Sequence, residues 1–529
     1  MSRSVLVRKL PSIGRLGGRS RFLALAPVAG GLALAIALPT AATAAATAAT
    51  AAHTVPSAAK AMAAHKTAAL PKSGIWTALS AGMTTEAPAP ALWVAPNGVG
   101  WDVFPRQISP NVFTYEATQV GTAGKVVKAP ADIFAAHWGS LEFPATLLGD
   151  AGKPLLVFSG ESIAAGVYNR GCVYGALGGG TAKWALESWS LSANCVNPVA
   201  AAAESNANAN VLAAAWPGGF PGGNGVLYRI GLSTVIPAVP ADQHIALSKA
   251  DAGQTGVVND QAGNHHFYVA WTRIFSTQGS ADGIYVKDVT ANSVIRKAPG
   301  TGTASSSTDF PVFGTLPTVN RNAKGGGAYL AYCANKSPCP RLELWKVGAA
   351  KAMAVPSSAN ALGATLAQGP GGRIWVAWYN KQSNRVFVTR TNKAATRFGA
   401  VRSYATACIE DGLLGLGGSP LAKLDVGLSC VNNAAKQAQY VTQVLAGLSL
   451  SFPGTVHLGS KGVTVKITVT DAGDPVAGAT VKFAGKTLKT NAKGQVSVAL
   501  SASAKTGGYQ ISVTAPDYAA AGGTVSVRR

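Results

Sequence analysis

The residues that could carry out chemistry in this chain are few and scattered. A nucleophilic serine would sit in a Gly-x-Ser-x-Gly turn, and the sequence has none. The nearest run to a phosphate loop, Gly149–Pro154, is too short and lacks the Ser or Thr after the lysine. His265 and His266 are neighbours on a predicted strand, so they face opposite sides and cannot share a metal. We therefore predict no catalytic residues, no metal ligands and no cofactor.

A second set of residues is suited to binding. Aromatic rings and guanidinium groups contact sugar faces and anionic polymers. Such residues occur on or beside the longer predicted loops of a repeat described below, where binding residues concentrate. The candidate ligand-binding residues are Arg106, Arg170, Trp216, Phe220, Arg273, Phe275 and Tyr379.

The elements that position these candidates are short strands in a repeat of about 50 residues. The clearest copy has a strand, the tight turn Gly369–Gly372, the aromatic strand Arg373–Tyr379 and the alternating strand Arg385–Thr391. Second strands align at positions 101, 158, 216, 271, 332, 378 and 428. Four short strands per repeat are typical of a β-propeller blade. The sequence predicts an all-β chain with a β-propeller over residues 73–447, of seven blades, or six if the last copy is not a blade.

Two further predictions concern the propeller. The orphan strand Gly74–Ser80 would close the ring as the outer strand of the last blade and hide an open sheet edge. The recurring Ala-Trp pairs lie in the middle of strands, and we interpret them as packing between blades. Loops between second and third strands are longer than those between first and second strands, and they emerge on one side, which we expect to carry any site.

The six cysteines form three couples that are close in sequence. An even count in an exported chain indicates disulfides. We predict the pairs Cys172–Cys195, Cys333–Cys339 and Cys408–Cys430.

The N-terminus predicts export. Six bases precede an apolar run that Pro39 ends, and a stretch of small residues follows, as in a cleaved signal peptide over residues 1–44. An uncleaved anchor is the alternative. Residues 45–72 are rich in Ala and Thr, which predicts a disordered linker.

The formal net charge is +23, and removing the six bases of residues 1–44 leaves +17, without a basic cluster interleaved with aromatic residues. We therefore expect a secreted protein, with or without attachment to the cell surface, that does not bind nucleic acid and has no membrane span after cleavage.

The C-terminal segment has a different pattern of strands and turns from the propeller repeats. Val463–Thr470 alternates as a half-buried strand does, and strands and turns at this spacing predict a small β-sandwich over residues 448–529. Asp474–Val481 and Thr490–Gly494 resemble the signature of bacterial Ig-like and carboxypeptidase-regulatory-like domains. The resemblance implies an Ig-like fold that acts as a spacer or a second contact.

The propeller repeats resemble those of sialidase-like propellers of secreted bacterial proteins. The matching features are the Trp375–Trp378 strand, the Val386–Arg390 strand and Thr396–Val401. The family's Asp-box is absent, and the nearest run, Ser280–Gly283, has the wrong spacing. Its Arg-Ile-Pro start is also absent, with Tyr228–Gly231 as the nearest run. No catalytic residue of the family can be carried over.

These observations favour a secreted, monomeric, non-catalytic binding or adhesion protein. Its propeller loops would recognise a glycan or an anionic cell-wall polymer. The alternative is a secreted glycoside hydrolase or lyase of sialidase-like shape, which would need two carboxylates about 5–10 Å apart in the central cleft.

Overall fold

A computed structural model describes most of the chain after residue 75. The described ranges are 76–83, 89–110, 112–135, 137–150, 152–164, 167–169, 173–178, 183–190, 199–203, 212–220, 223–232, 243–246, 251–260, 266–274, 282–301, 315–321, 326–333, 339–409, 412–418, 423–431 and 437–529. The predicted signal peptide (residues 1–44) and linker (45–72) lie outside them. None of the described residues belongs to a helix of the length and apolarity that crossing a bilayer requires.

The described strands from Thr77 to Val444 form five four-stranded antiparallel sheets and one nine-stranded sheet. The nine-stranded sheet contains two blades joined where Phe113 pairs with Trp138, so the strands make seven blades. The first strand, β1 (Thr77–Met83), belongs to the last of them. Blades 1 and 2 comprise β2 (Ala91–Val94), β3 (Gly100–Ser109), β4 (Val112–Val120) and β5 (Val126–Asp132), then β6 (His137–Asp150), β7 (Lys153–Ala164), β9 (Val173–Leu177) and β10 (Ala185–Ser190), with the short β8 (Val167–Asn169) beside β7.

Blades 3 to 5 repeat this order. They comprise β11 (Ala200–Ala203), β12 (Leu212–Phe220), β13 (Gly223–Leu232) and β14 (Gln243–Ala246); β15 (Asp251–Asn259), β16 (Phe267–Ile274), β17 (Gly283–Asp288) and β18 (Arg296–Lys297); and β19 (Thr318–Asn320), β20 (Ala328–Cys333), β21 (Leu342–Lys346) and β22 (Met353–Ala354).

Blades 6 and 7 complete the ring. They comprise β23 (Ala361–Gln368), β24 (Ile374–Asn380), β25 (Arg385–Arg390) and β26 (Arg402–Ala405), with a 3-10 turn at Pro370–Gly372, then β27 (Leu413–Gly417), β28 (Leu424–Val431), β29 (Gln437–Val444) and β1. The inner strands contact one another in the cyclic order β2, β6, β11, β15, β19, β23, β27 and back to β2. The fold is a seven-bladed β-propeller, and all seven aligned positions lie in the second strands of their blades, as predicted.

Ring closure follows the prediction for the orphan strand. β1 pairs with β29, so the N-terminal strand is the outer strand of blade 7.

The tryptophans of the repeat pack as predicted, since Trp216, Trp271, Trp375 and Trp378 are at most 1% exposed. The bonds Cys333–Cys339 and Cys408–Cys430 are present as predicted. Cys172 and Cys195 lie outside the described residues.

The C-terminal strands form a β-sandwich. One sheet contains β30 (Ser449–Ser451), β32 (Val463–Asp471), β33 (Asp474–Pro475) and β36 (Gln495–Leu500); the other has the order β31 (Thr455–His457), β38 (Ala521–Arg528), β37 (Gly507–Thr514), β34 (Thr480–Phe483) and β35 (Lys486–Lys489). The alternation in β32 buries Val465, Ile467 and Val469 in a core shared by both sheets. Membership of the Ig-like family stays a prediction.

Buried ion pairs join the sandwich to blade 6. Asp471 Oδ2 accepts from Arg390 Nη2 at 2.6 Å and lies 3.0 Å from Arg373 Nε. The Asp474 carboxylate accepts from Arg373 Nη2 at 2.6 Å. The Arg390 guanidinium lies between the rings of Trp375 and Tyr518, at 4.9 and 5.1 Å from their centroids. The described residues from Trp76 to Arg529 belong to one compact unit.

Candidate functional site

The central channel of the propeller is a candidate ligand-binding site. The inner strands enclose a cavity of about 260 Å³, slightly below the 300–1,000 Å³ of most small-molecule pockets. Its described lining is made of apolar, hydroxyl and amide side chains, and no Asp, Glu, His, Lys or Arg is among them. Two hydrogen bonds join its polar groups between adjacent inner strands: Gln368 donates to Asn320, and Thr318 Oγ1 donates to the Val257 carbonyl at 2.8 Å. The Thr, Asn and Gln side chains of this lining could form hydrogen bonds with the hydroxyl groups of a ligand. The described lining has no acidic or basic side chain that could transfer a proton.

Outside the channel, the described residues bring together one pair of carboxyl groups that no arginine bridges, unlike Glu116 and Asp132 on Arg106 or Asp471 and Asp474 on Arg373. Asp102 on β3 and Asp425 on β28 lie where blade 1 meets blade 7, at 1% and 2% exposure. Both oxygens of Asp102 and the Oδ2 of Asp425 have no hydrogen-bond partner. The Oδ1 of Asp425 accepts from Gln443 Nε2 at 2.8 Å. Gly100 precedes Asp102 by two residues and makes room for its partner, because a Cβ at Gly100 would lie 2.1 Å from Asp425 Oδ2.

The protonation of these two carboxyl groups is determined by their surroundings. Burial raises the pKa of Asp425 to about 7, although the Gln443 hydrogen bond and the Lys423 charge lower it. Burial also raises the pKa of Asp102 well above its usual range, and the Asp425 charge adds to the rise. Both carboxyls are closed to solvent, so they cannot serve as the acid and the nucleophile of a sugar-cleaving site.

A cluster of charged and aromatic groups lies at the outer part of blade 4, and it includes the predicted residue Arg273. The Tyr285 ring has the Arg273 guanidinium 6.0 Å and the Lys297 ammonium 5.7 Å from its centroid. Trp271 stacks on the same ring at 6.0 Å and belongs to the core shared with blade 3. We call Arg273, Tyr285 and Lys297 the blade 4 cluster.

The strands explain why these three side chains meet. Tyr285 on β17 is paired directly with Trp271 on β16 and with Lys297 on β18, so their side chains share one face of the blade. Arg273 is two residues beyond Trp271 and therefore lies on the same face, just before the longer loop between β16 and β17. All three members are partly exposed. Burial lowers the pKa of Lys297; the nearby Arg273 lowers it further, while Asp282 raises it.

The other predicted binding residues have different surroundings. Arg106 makes ion pairs with Glu116 at 2.8 Å and with Asp132 at 2.7 Å, so its guanidinium is engaged within blade 1. Trp216 and Tyr379 were expected beside exposed loops; they instead lie within β12 and β24 at 1% and 0% exposure. Their rings pack in inter-blade cores and present no surface to a ligand, which corrects their predicted placement.

Three predicted residues lie wholly or in their side chains outside the part of the chain that the structure describes. Arg170 and Phe275 lie outside the described residues, and Phe220 ends β12 with a side chain that the structure does not describe. Sequence reasoning missed Tyr285 and Lys297, although the alternation in Ile284–Lys287 could have placed Tyr285 on the face of Trp271. Among the described residues there is no group of three His, Cys, Asp or Glu side chains that could hold a metal ion.

Solved structures with related shapes include propeller proteins. A protein of unknown function from Dyadobacter fermentans is 10% identical, with a TM-score of 0.41 over 69% of this chain and 97% of its own. A polysaccharide lyase is 10% identical, with a TM-score of 0.39 over 68% of this chain and 90% of its own. The Trypanosoma rangeli sialidase is 9% identical, with a TM-score of 0.32 over 68% of this chain and 54% of its own. No family model matches the sequence, and no curated protein matches it. Similarity this low carries no argument about activity.

Proposed function

We propose that this chain is an exported, non-catalytic binding protein whose propeller recognises an acidic glycan or an anionic cell-surface polymer. The observation that carries the proposal is the blade 4 cluster, in which two cations flank one aromatic ring at a partly exposed rim. The sequence predicts Arg273 as a binding residue. Tyr285 and Lys297 lie on the same face of the blade, so we include them in the proposed binding site.

The chemistry of the cluster suits an anionic sugar. A guanidinium group can hold a carboxylate or sulfate through two parallel hydrogen bonds, and an ammonium group adds a point charge. The Tyr285 ring supplies apolar surface for the C–H face of a sugar. Burial and the neighbouring Arg273 lower the pKa of Lys297 and Asp282 raises it, so a ligand anion would add to the compensation that Asp282 gives the two cations.

Export is supported by the cysteines. Disulfides persist in oxidising compartments and are rare in the cytosol. The bonds Cys333–Cys339 and Cys408–Cys430 are consistent with a secreted protein, in line with the N-terminal sequence. We propose a monomer that is secreted and is free or held at the cell surface.

The enzyme alternative has less support. A glycosidase needs two carboxyl groups that a sugar can reach. The described channel lining offers none, and Asp102 and Asp425 are buried between blades. An assay with fluorogenic glycosides and with uronate polymers tests this point, because turnover by the purified chain would overturn the non-catalytic part of the proposal.

The binding part is tested with short ligands. A glycan array on the purified protein selects acidic oligosaccharides, and calorimetry then compares one, such as trigalacturonate, with its neutral counterpart. We expect Arg273→Ala and Lys297→Ala each to weaken binding of the acidic ligand by about 10- to 100-fold, because each removes a charged hydrogen-bond donor. Lys351→Ala, an exposed base elsewhere on the propeller, is the matched control. Equal affinity of all variants would refute the assignment.

A further inference from the structure

The charges of the sandwich are segregated. Residues 451–529 contain nine Lys and Arg and three Asp, and all nine basic side chains are exposed. None of these nine forms an ion pair with a described residue. A solvated surface usually intersperses both signs of charge, and this one does not.

Two of the three acids face the propeller, and the third is exposed near it. Asp471 is buried between Arg373 and Arg390, and Asp474 is held by Arg373 and by the Lys393 backbone N–H at 2.8 Å. The third acid, Asp517, lies 4.0 Å from Lys423 of blade 7. Docking of the sandwich therefore pairs two of its three acids with propeller arginines and leaves its nine basic side chains without an ion-pair partner among the described residues.

The outer face of the sheet β31-β38-β37-β34-β35 combines these charges with hydroxyl groups. Lys482 is paired directly with Thr487 and Ser512, and Lys489 with Thr480, so all five side chains point to the same side of the sheet. Burial alternates along β34, where Val481 and Phe483 face the core and Lys482 faces solvent. The result is a solvent-facing surface on which ammonium groups lie among small polar side chains.

We propose that this face of the sandwich is a second binding surface, for an anionic polysaccharide. Uncompensated positive charge attracts a polyanion over about a Debye length, and neighbouring hydroxyls can bond sugar hydroxyls. This face carries no helix that could enter the major groove, which favours a polysaccharide over duplex DNA. The inference extends the proposed function from the propeller loops to the sandwich, but it rests on separate residues.

The test uses the full chain and polygalacturonate as the long polymer. We expect the double variant Lys482→Gln/Lys489→Gln to bind the polymer about tenfold more weakly at low salt and to show a shallower salt dependence. Lys482→Arg/Lys489→Arg should retain binding. Lys346→Gln/Lys351→Gln changes the net charge equally at exposed propeller positions and should bind as the wild type does.

Three outcomes would overturn the inference: equal losses in the sandwich and propeller pairs, no loss in either, or tighter binding of a 20-base-pair DNA duplex than of polygalacturonate. Thermal unfolding of each variant confirms that exposed substitutions leave the fold intact. The short-ligand test at Arg273 is independent. If trigalacturonate binding survives while the polymer shows no dependence on Lys482 and Lys489, the inference fails and the proposed function stands.

Discussion

Asp102 and Asp425 are the residues whose surroundings differ most from ordinary solvent. Two carboxyls that face each other in an apolar seam cannot both be ionised without a cation between them. The raised pKa of Asp425, about 7, means that the folded chain holds a proton there when the unfolded chain, with its ordinary value of 3.8, has released it. Lys423 is the nearby base that lowers the pKa of Asp425, and it does not reverse the shift.

The pair predicts the sign of a pH effect. Between about pH 4 and pH 7 the folded state binds more protons than the unfolded state, so the free energy of unfolding should fall as pH rises, by about 4 kcal/mol for a shift of roughly three pKa units. Asp425→Asn removes one of the two titrating carboxyls and the charge that acts on Asp102, so its stability should decline less over this window and exceed that of the wild type at pH 7.5. Urea denaturation at several pH values measures both slopes. Identical slopes in the two proteins would contradict the prediction.

At the scale of strands, the sequence was sufficient for the blades but not for the contacts between them. The aromatic second strands and tight turns of the repeat predicted all seven blades and the closing role of β1. The sequence showed that Trp216 and Tyr379 are aromatic and lie close to predicted loops. It did not show that their side chains point into a core, because that depends on strand register. Lys297 could not be found because β18 has only two residues and no alternation to read.

The seam between blades 7 and 1 depends on a glycine in an inner strand. A Cβ at Gly415 would lie 1.9 Å from the Pro90 carbonyl oxygen, a backbone atom that cannot move aside without shifting β2. We expect Gly415→Ala to lower the free energy of unfolding by about 1–3 kcal/mol, as overpacking does. Gly454→Ala has open space at its Cβ and should change it by less than about 0.5 kcal/mol. Equal urea midpoints for both variants would show that the seam can relax.

At the scale of the whole molecule, the ion pairs at Asp471 decide whether the two domains act together. The carboxylate accepts from Arg390 and Tyr518, and the side chains of Arg390 and Asp471 are 2% and 1% exposed. A spacer on a flexible tether would not bury charges in this way. The sandwich surface and the blade 4 cluster are thus held in a fixed relation, so one long polymer can contact both only if its path matches that geometry.

This fixed docking predicts one cooperative unfolding transition in calorimetry. Arg390→Ala leaves the Asp471 carboxylate buried with one fewer donor, which should cost about 3–5 kcal/mol and separate the sandwich transition from that of the propeller. Arg341→Ala leaves the Glu343 carboxylate, which is 7% exposed, without this arginine inside blade 5, so it should also lower stability but retain a single transition. Two transitions in the wild type would mean that the domains unfold independently, and the coupled binding geometry would then lose its basis.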